Sequence, residues 1–189
     1  MPGETLAESN AFWNYWADPP FPRPRPDATS LQDSVALSDL VIRGHIVDVY
    51  VGEYQWTNGT AVPVVYVKVA VNELFKGNPI SRTAGYVEIG LGSLDAAGVE
   101  QLRAALPQHD NIWFLKYDPG PATRSDIAPY AYLMLNDQQG VLRDINGKVR
   151  LVQPQYLIDS LGPDAFPLPF EGTSFADLVK QLRAIAVPG

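Results

Sequence analysis

The side chains in this chain that are best suited to chemistry are two histidines and scattered carboxylates. The 189-residue sequence contains His45 and His109, and it contains no cysteine. A metal site built on histidine usually needs two or three ligands at defined spacing, and these two histidines lie far apart in the sequence. The lack of cysteine removes disulfide bonds, thiolate metal sites and thiol catalysis. We therefore expect neither a metal nor a cofactor.

Three short segments resemble parts of known functional motifs, and each has a simpler structural explanation. Residues 90–95 place Asp95 where a dinucleotide-binding loop needs its third glycine. Residues 172–176 contain Ser174 in part of a nucleophile-elbow pattern, but no strand is predicted before it, so Ser174 is expected to cap a helix. Residues 144–147 carry too few acidic ligands for calcium and fit a hairpin turn. The sequence therefore assigns no catalytic residue.

A set of polar and aromatic residues is the candidate binding surface. Arg43, His45, Tyr66 and Lys68 alternate with apolar residues along two predicted strands, and Trp56 lies in the turn between them. We expect these side chains on the outward face of one hairpin, which is a face that small β-barrels use to bind ligands. The alternative is an ordinary solvent-facing sheet surface with cross-strand pairs, and the sequence leaves it open.

Composition limits the classes of function that the chain can have. The sequence has 21 acidic and 14 basic residues, which gives a net charge of −7, and it contains no basic run. We therefore do not expect nucleic-acid binding, because an acidic chain repels a phosphate backbone. The longest apolar runs have the length of strands, so no membrane-spanning helix is expected. The first residues show neither a basic region nor an apolar run, so no signal peptide is expected in this chain. The cellular compartment stays open.

The polar set is positioned by a long predicted hairpin. Residues 38–51 and 62–77 are rich in β-branched and aromatic residues and alternate with a period of two. On the second strand the side chains that share the buried face are Val65, Val67, Val69 and Val71. Asn58 and Gly59 lie between the strands, and this dipeptide is a strong hairpin signal. Gly44 on the first strand indicates a bulge or a close backbone approach.

The rest of the chain predicts further strands and several helices. The predicted strands cover residues 85–91, 111–117 and 130–135, together with a second hairpin at 140–143 and 148–152. The predicted helices cover residues 31–37, part of 93–107, 153–161 and 174–186. Residues 111–117 are apolar on both faces, which is typical of a central strand. The last helix has an apolar stripe at helical spacing, so we expect it to pack on the sheet.

Residues 1–28 form a separate opening segment, and residues 29–189 form one domain. Prolines between residues 18 and 26 prevent regular helix or central strand there. The aromatic side chains of the segment are Phe12, Trp13, Tyr15, Trp16 and Phe21. They either pack on the chain's own domain or form an arm that docks on a protein partner or a second copy. We predict that these residues form the docking arm.

Parts of the chain resemble a group of bacterial proteins. The resemblance rests on residues 39–47, 67–77 and 112–115, and it covers about residues 31–152. These sequences are similar to uncharacterised bacterial proteins with an OB-like barrel, related in shape to the netrin and metalloprotease-inhibitor barrels. The resemblance implies a small antiparallel barrel but no settled activity. Metalloprotease inhibition in such barrels uses an N-terminal cysteine, which this sequence lacks.

The sequence therefore predicts a mainly β protein: an OB-like antiparallel β-barrel with a C-terminal helix and an extended N-terminal arm. The expected function is a non-catalytic binding or structural subunit that associates through the arm and a sheet face. One alternative is a hydrolase acting from the barrel loops, and another is a single-stranded nucleic-acid-binding OB domain. If the arm is an assembly device, deletion of residues 1–27 should abolish association and leave the barrel folded.

Overall fold

The computed structural model describes residues 5–13, 27–55, 61–92, 96–117, 131–134 and 140–186. The strands are β1 (Leu40–Gln55), β2 (Ala61–Lys76), β3 (Tyr86–Gly92), β4 (Asn111–Tyr117), β5 (Ala131–Met134), β6 (Val141–Ile145) and β7 (Lys148–Arg150). The helices are α1 (Leu6–Trp13), α2 (Leu31–Leu37), α3 (Ala96–Ala104), α4 (Pro154–Leu161) and α5 (Phe175–Ile185), with a 3₁₀ turn at Leu168–Phe170.

The seven described strands belong to one sheet in the order β1-β2-β3-β5-β4-β6-β7, and β1 also pairs with β4. The β3–β5 pair is parallel, and the other pairs are antiparallel. A mainly β fold with helices is therefore confirmed. Closure of the sheet into an OB-like barrel is not confirmed and stays a prediction.

The first hairpin is longer than the sequence predicts. Strands β1 and β2 pair from Val41, opposite Lys76, to Gln55, opposite Ala61. The predicted buried side of β2 is confirmed, because Val65, Val67 and Val69 are fully buried and Val71 packs against the same core. The opposite side is not uniformly exposed, since Tyr66 is also buried. Asn58, Gly59 and Trp56 lie outside the described residues.

Gly44 allows β1 to approach β2 closely, as the sequence predicts. The register between the strands shifts between Arg43 and Gly44, which marks a bulge. A Cβ atom placed on Gly44 would lie 2.2 Å from the carbonyl oxygen of Ala70. The backbone of β1 pairs with β4 from Leu40 to Gly44, so the bulge lies where β1 leaves β4.

Strand β4 separates two layers of the core. Its residues Trp113 and Leu115 pack with the buried valines of β2, while Ile112 and Phe114 pack on the opposite side with residues of the helices. Both sides are fully buried, so the prediction of a central strand is confirmed.

Helix α5 covers the second layer with the stripe that the sequence predicts. Its buried residues are Phe175, Leu178, Val179 and Leu182. The hydroxyl of Ser174 accepts a hydrogen bond from the backbone N–H of Asp177 at 3.3 Å. Ser174 is therefore a helix cap and not part of a nucleophile elbow.

Helix α1 belongs to the first core layer, which corrects the prediction that Phe12 and Trp13 dock on a partner. Phe12 and Trp13 are 0% and 1% exposed, and the Trp13 ring lies 5.8 Å from that of Trp113. The buried guanidinium of Arg143 donates to the hydroxyl of Ser9 at 2.9 Å and to the side-chain oxygen of Asn10 at 2.8 Å. Phe12 and Trp13 are thus wrong as partner-docking residues, because the chain's own core already encloses them. Tyr15, Trp16 and Phe21 lie outside the described residues.

We predict that α1 stabilises the fold. Trp13→Ala should lower the free energy of unfolding by about 3–5 kcal/mol, because it leaves a cavity beside Trp113. The control Leu6→Ala should change it by less than about 0.5 kcal/mol, since Leu6 is 39% exposed. Urea unfolding measures both, and a chain beginning at Thr29 should unfold at lower urea. If that truncated chain keeps the full midpoint, α1 is not part of the core.

Candidate functional site

The candidate binding residues lie on the outward side of β1 and β2. His45 pairs with Ala70, and Asp48 pairs with Lys68. Residues directly opposite each other in a sheet share a face, so the polar side chains of the two strands project together. We call this surface the outer face, defined by Arg43, His45, Val47, Lys68, Ala70 and Asn72.

One end of the outer face is held by a network centred on Asp110, which precedes β4. The carboxylate of Asp110 lies 3.4 Å from Nε of Arg43 and 3.7 Å from Nδ1 of His45. It also accepts a hydrogen bond from Nδ2 of Asn72 at 2.6 Å. Arg43 in turn lies 3.5 Å from the carboxylate of Glu73. The sequence places Arg43 and His45 together correctly, but it gives no signal that Asp110 joins them.

The same network reaches helix α5. Arg183 donates to both carboxylate oxygens of Glu73, at 2.7 and 3.0 Å. These hydrogen bonds lower the pKa of Glu73 below its usual range, although partial burial opposes the effect. The bidentate pair therefore ties the last helix to β2 beside the outer face.

Two stacked tyrosines lie farther along the β1–β2 hairpin, and the burial of one of them corrects the prediction that Tyr66 is a binding residue. Tyr66 is 2% exposed, and its ring is stacked with that of Tyr50 at 5.9 Å. The hydroxyl of Tyr50 donates to Glu88 at 2.5 Å. Burial, together with the Glu88 carboxylate, raises the pKa of Tyr50. Tyr66 was predicted as an exposed contact, and the structure instead gives it a packing role.

Glu88 is the buried carboxylate that the sequence did not reveal. It lies on β3 and is 1% exposed, and it accepts from Arg82 at 3.3 Å as well as from Tyr50. Its position between Val87 and Ile89 indicates an outward side chain, but no local pattern shows that Tyr50 and Arg82 cover it. Its hydrogen bond to Tyr50 therefore links β3 to β1 across β2.

Lys68 occupies the middle of the outer face. Its ammonium lies 4.4 Å from the centre of the Tyr86 ring, which is the geometry of a cation–π contact. Lys68 is partly exposed, so its charge remains accessible from solvent. Trp56, the remaining predicted contact, lies outside the described residues.

A serine of helix α1 and a histidine of the segment before β4 lie in contact, but they are not arranged for hydrolysis. Nε2 of His109 is 3.5 Å from Oγ of Ser9. Ser9 is fully buried, and its hydroxyl oxygen already accepts from Arg143. A nucleophile must be reached by substrate, and the burial of Ser9 prevents this.

One carboxylate beside this contact has a shifted pKa. Burial raises the pKa of Asp144, and the negative charge of Asp110 adds to the effect. The N–H of Gly147, which donates to Asp144 at 2.8 Å, opposes it, as do the nearby charges of His109 and Arg43. The contact with Gly147 is the hairpin turn that the sequence predicts.

Across the described ranges, no group of three or more His, Asp or Glu side chains is placed to hold a metal ion. None of the helices in those ranges combines the length and the apolar character that crossing a membrane requires.

A comparison with protein-family models and with curated proteins finds no match to this chain. The resemblance to netrin-like barrels therefore stays an expectation from the sequence.

We predict that the Arg183–Glu73 pair makes stability depend on pH. The pKa of Glu73 is lowered in the folded chain, so its contribution is present above the unfolded pKa of about 4.3 and is lost as the pH falls through the folded value. Arg183→Gln should therefore destabilise the chain near pH 7, and its difference from the parent should shrink towards about pH 3.

Urea unfolding at several pH values measures this difference, and Lys180→Gln on the exposed side of α5 is the control. A difference that stays constant from about pH 7 to about pH 3 would contradict the role of the ion pair.

Proposed function

We propose that the chain is a non-catalytic binding domain with an OB-like barrel, and that it binds a partner protein on the outer face of β1 and β2. The observation that carries the proposal is the outer face itself: a partly exposed sheet surface on which Arg43 and Asn72 already contact the carboxylates of Asp110 and Glu73.

The strand pairings support the barrel. Strand β1 pairs with both β2 and β4, β2 pairs with β3, and β5 pairs with both β3 and β4. These pairings connect five strands in the order β1-β2-β3-β5-β4 and back to β1. This is the strand order of a five-stranded OB barrel. The parallel β3–β5 pair and a helix between β3 and β4 that packs against β1 favour the same arrangement. The bulge at Gly44 supplies the bend that closure needs.

The held side chains favour binding because they lower its entropic cost. A side chain that is ordered only on association costs about 0.5–1.5 kcal/mol. Arg43, His45 and Asp110 are 29%, 38% and 27% exposed in their side chains, yet each has a polar contact in the free chain. Val47, 37% exposed, adds an apolar contact point between them and Lys68. A partner would therefore meet a surface that needs little reordering.

The two alternatives have less support from the same residues. A single-stranded nucleic acid would need exposed rings for base stacking, and Tyr66 is buried. The net charge of −7 also opposes a phosphate backbone. The Ser9–His109 contact does not support a hydrolase, because Ser9 is fully buried beneath its hydrogen bond from Arg143 and substrate cannot reach it.

Selection of a random peptide library on the full chain tests the proposal. Enriched peptides are synthesised, and their binding sites are mapped by amide chemical-shift changes. We expect the changes to cluster on the outer face. Val47→Gln should weaken binding, while the control Leu161→Gln should not, because Leu161 has nearly the same exposure, 38%, but lies on α4.

Two results would contradict the proposal. The first is enrichment of peptides that map to α4, where Tyr156 and Leu161 are also exposed. The second is a selection that yields no peptide with a mapped site on β1 or β2. Either result would leave the outer face as an ordinary solvated sheet surface.

A further inference from the structure

Three charged residues form a row across the centre of the sheet. Lys68 of β2 lies directly opposite Asp48 of β1 on one side and directly opposite Glu88 of β3 on the other. A lysine between two carboxylates in this register would ordinarily pair with one of them. The row therefore predicts a cross-strand ion pair for Lys68.

Both carboxylates are bound to other groups instead. Nε of Arg103 on α3 lies 3.6 Å from Oδ1 of Asp48, and the same oxygen accepts from the backbone N–H of Val49 at 2.8 Å. Glu88 accepts from Tyr50 and Arg82. Arg103 and Arg82 therefore pair with the two carboxylates that lie opposite Lys68 in the sheet.

Lys68 keeps an accessible charge as a result. Among the described residues its ammonium has no carboxylate within 4 Å, and it contacts the Tyr86 ring instead. The ring holds the side chain at the surface without neutralising it. An ammonium held in this way retains donors for an incoming carboxylate, and little side-chain entropy is lost when the bond forms.

We propose that Lys68 binds a carboxylate of an acidic peptide segment in a partner protein, and that Val47 contacts an apolar residue of the same segment. This inference rests on the proposed binding function and specifies the chemistry of the partner. The β1–β2 register also shifts between Ile46 and Asp48, where Val47 is the extra residue. Val47 is followed by Asp48, which lies opposite Lys68, so the apolar contact and the charge lie on neighbouring positions of the outer face.

The surrounding charges favour a short acidic segment over a polyanion. Glu73, Asp110 and Asp48 all lie on or beside the outer face, and each already has a cationic partner. A phosphate backbone would place charges against these carboxylates at every nucleotide, whereas one carboxylate aimed at Lys68 avoids them. An acidic residue beside an apolar one fits the pattern of exposed groups.

The experiment uses the peptides selected on the full chain, measured by fluorescence anisotropy. We expect Asp or Glu to be enriched among peptides that map to the outer face. Lys68→Gln should weaken their binding by about three- to fivefold, as expected for a partly exposed ion pair. Lys180→Gln removes an exposed lysine from α5 and should change binding by less than about twofold.

A double-mutant cycle identifies the contact. Replacing the peptide carboxylate by its amide should weaken binding to the parent chain and should have little further effect on Lys68→Gln. Additive losses, or outer-face peptides without acidic enrichment, would overturn the role of Lys68 and leave the proposed binding function standing. Failure of every selected peptide to map to the outer face would overturn both.

Discussion

The fold depends on the close approach of two backbones at Gly44. Strand β1 pairs with β2 along its length and with β4 at its beginning, so residues 41–44 pair with a strand on each edge. At Gly44 the β1 backbone lies so near the Ala70 carbonyl that a side chain would collide with it. The indole N–H of Trp113 donates to the Gly44 carbonyl at 3.1 Å, which fixes β4 to the same point. One residue thus holds three strands together.

Helix cover changes along the outward side of β1. Val41 packs with the helix-covered layer of the core. Arg43 and His45, farther along the same side, are partly exposed. The Arg183–Glu73 pair marks the boundary, because it joins α5 to β2 beside Arg43. The candidate binding face begins where helix cover ends.

The sequence predicts this framework well because its determinants are local. Alternating valines predict the buried side of β2, and a glycine in mid-strand predicts the bulge. Asn146 and Gly147 both adopt positive φ, 54° and 78°, which is the turn that an Asn-Gly pair favours. Ser174 caps α5 as its position predicts. In each case the physical cause lies within a few residues of the effect.

The sequence fails where burial depends on distant partners. Phe12 and Trp13 are enclosed by strands far along the chain, and nothing in an aromatic, proline-flanked segment distinguishes self-packing from docking. Tyr66 is stacked with Tyr50, and Lys68 has no carboxylate within 4 Å among the described residues because Arg82 and Arg103 reach its neighbours from other elements. The strand pattern correctly predicts the direction of these side chains, but their contacts arise only in the folded chain.

The most direct test of the account is a set of nuclear Overhauser effects between backbone protons of paired strands. A domain organised around the Gly44 bend should show contacts between β1 and β4 at residues 40–44 and 111–115. It should show contacts between β3 and β5 at residues 88–90 and 131–133 in the same sample. Absence of either set, with the β1–β2 contacts intact, would contradict the proposed barrel.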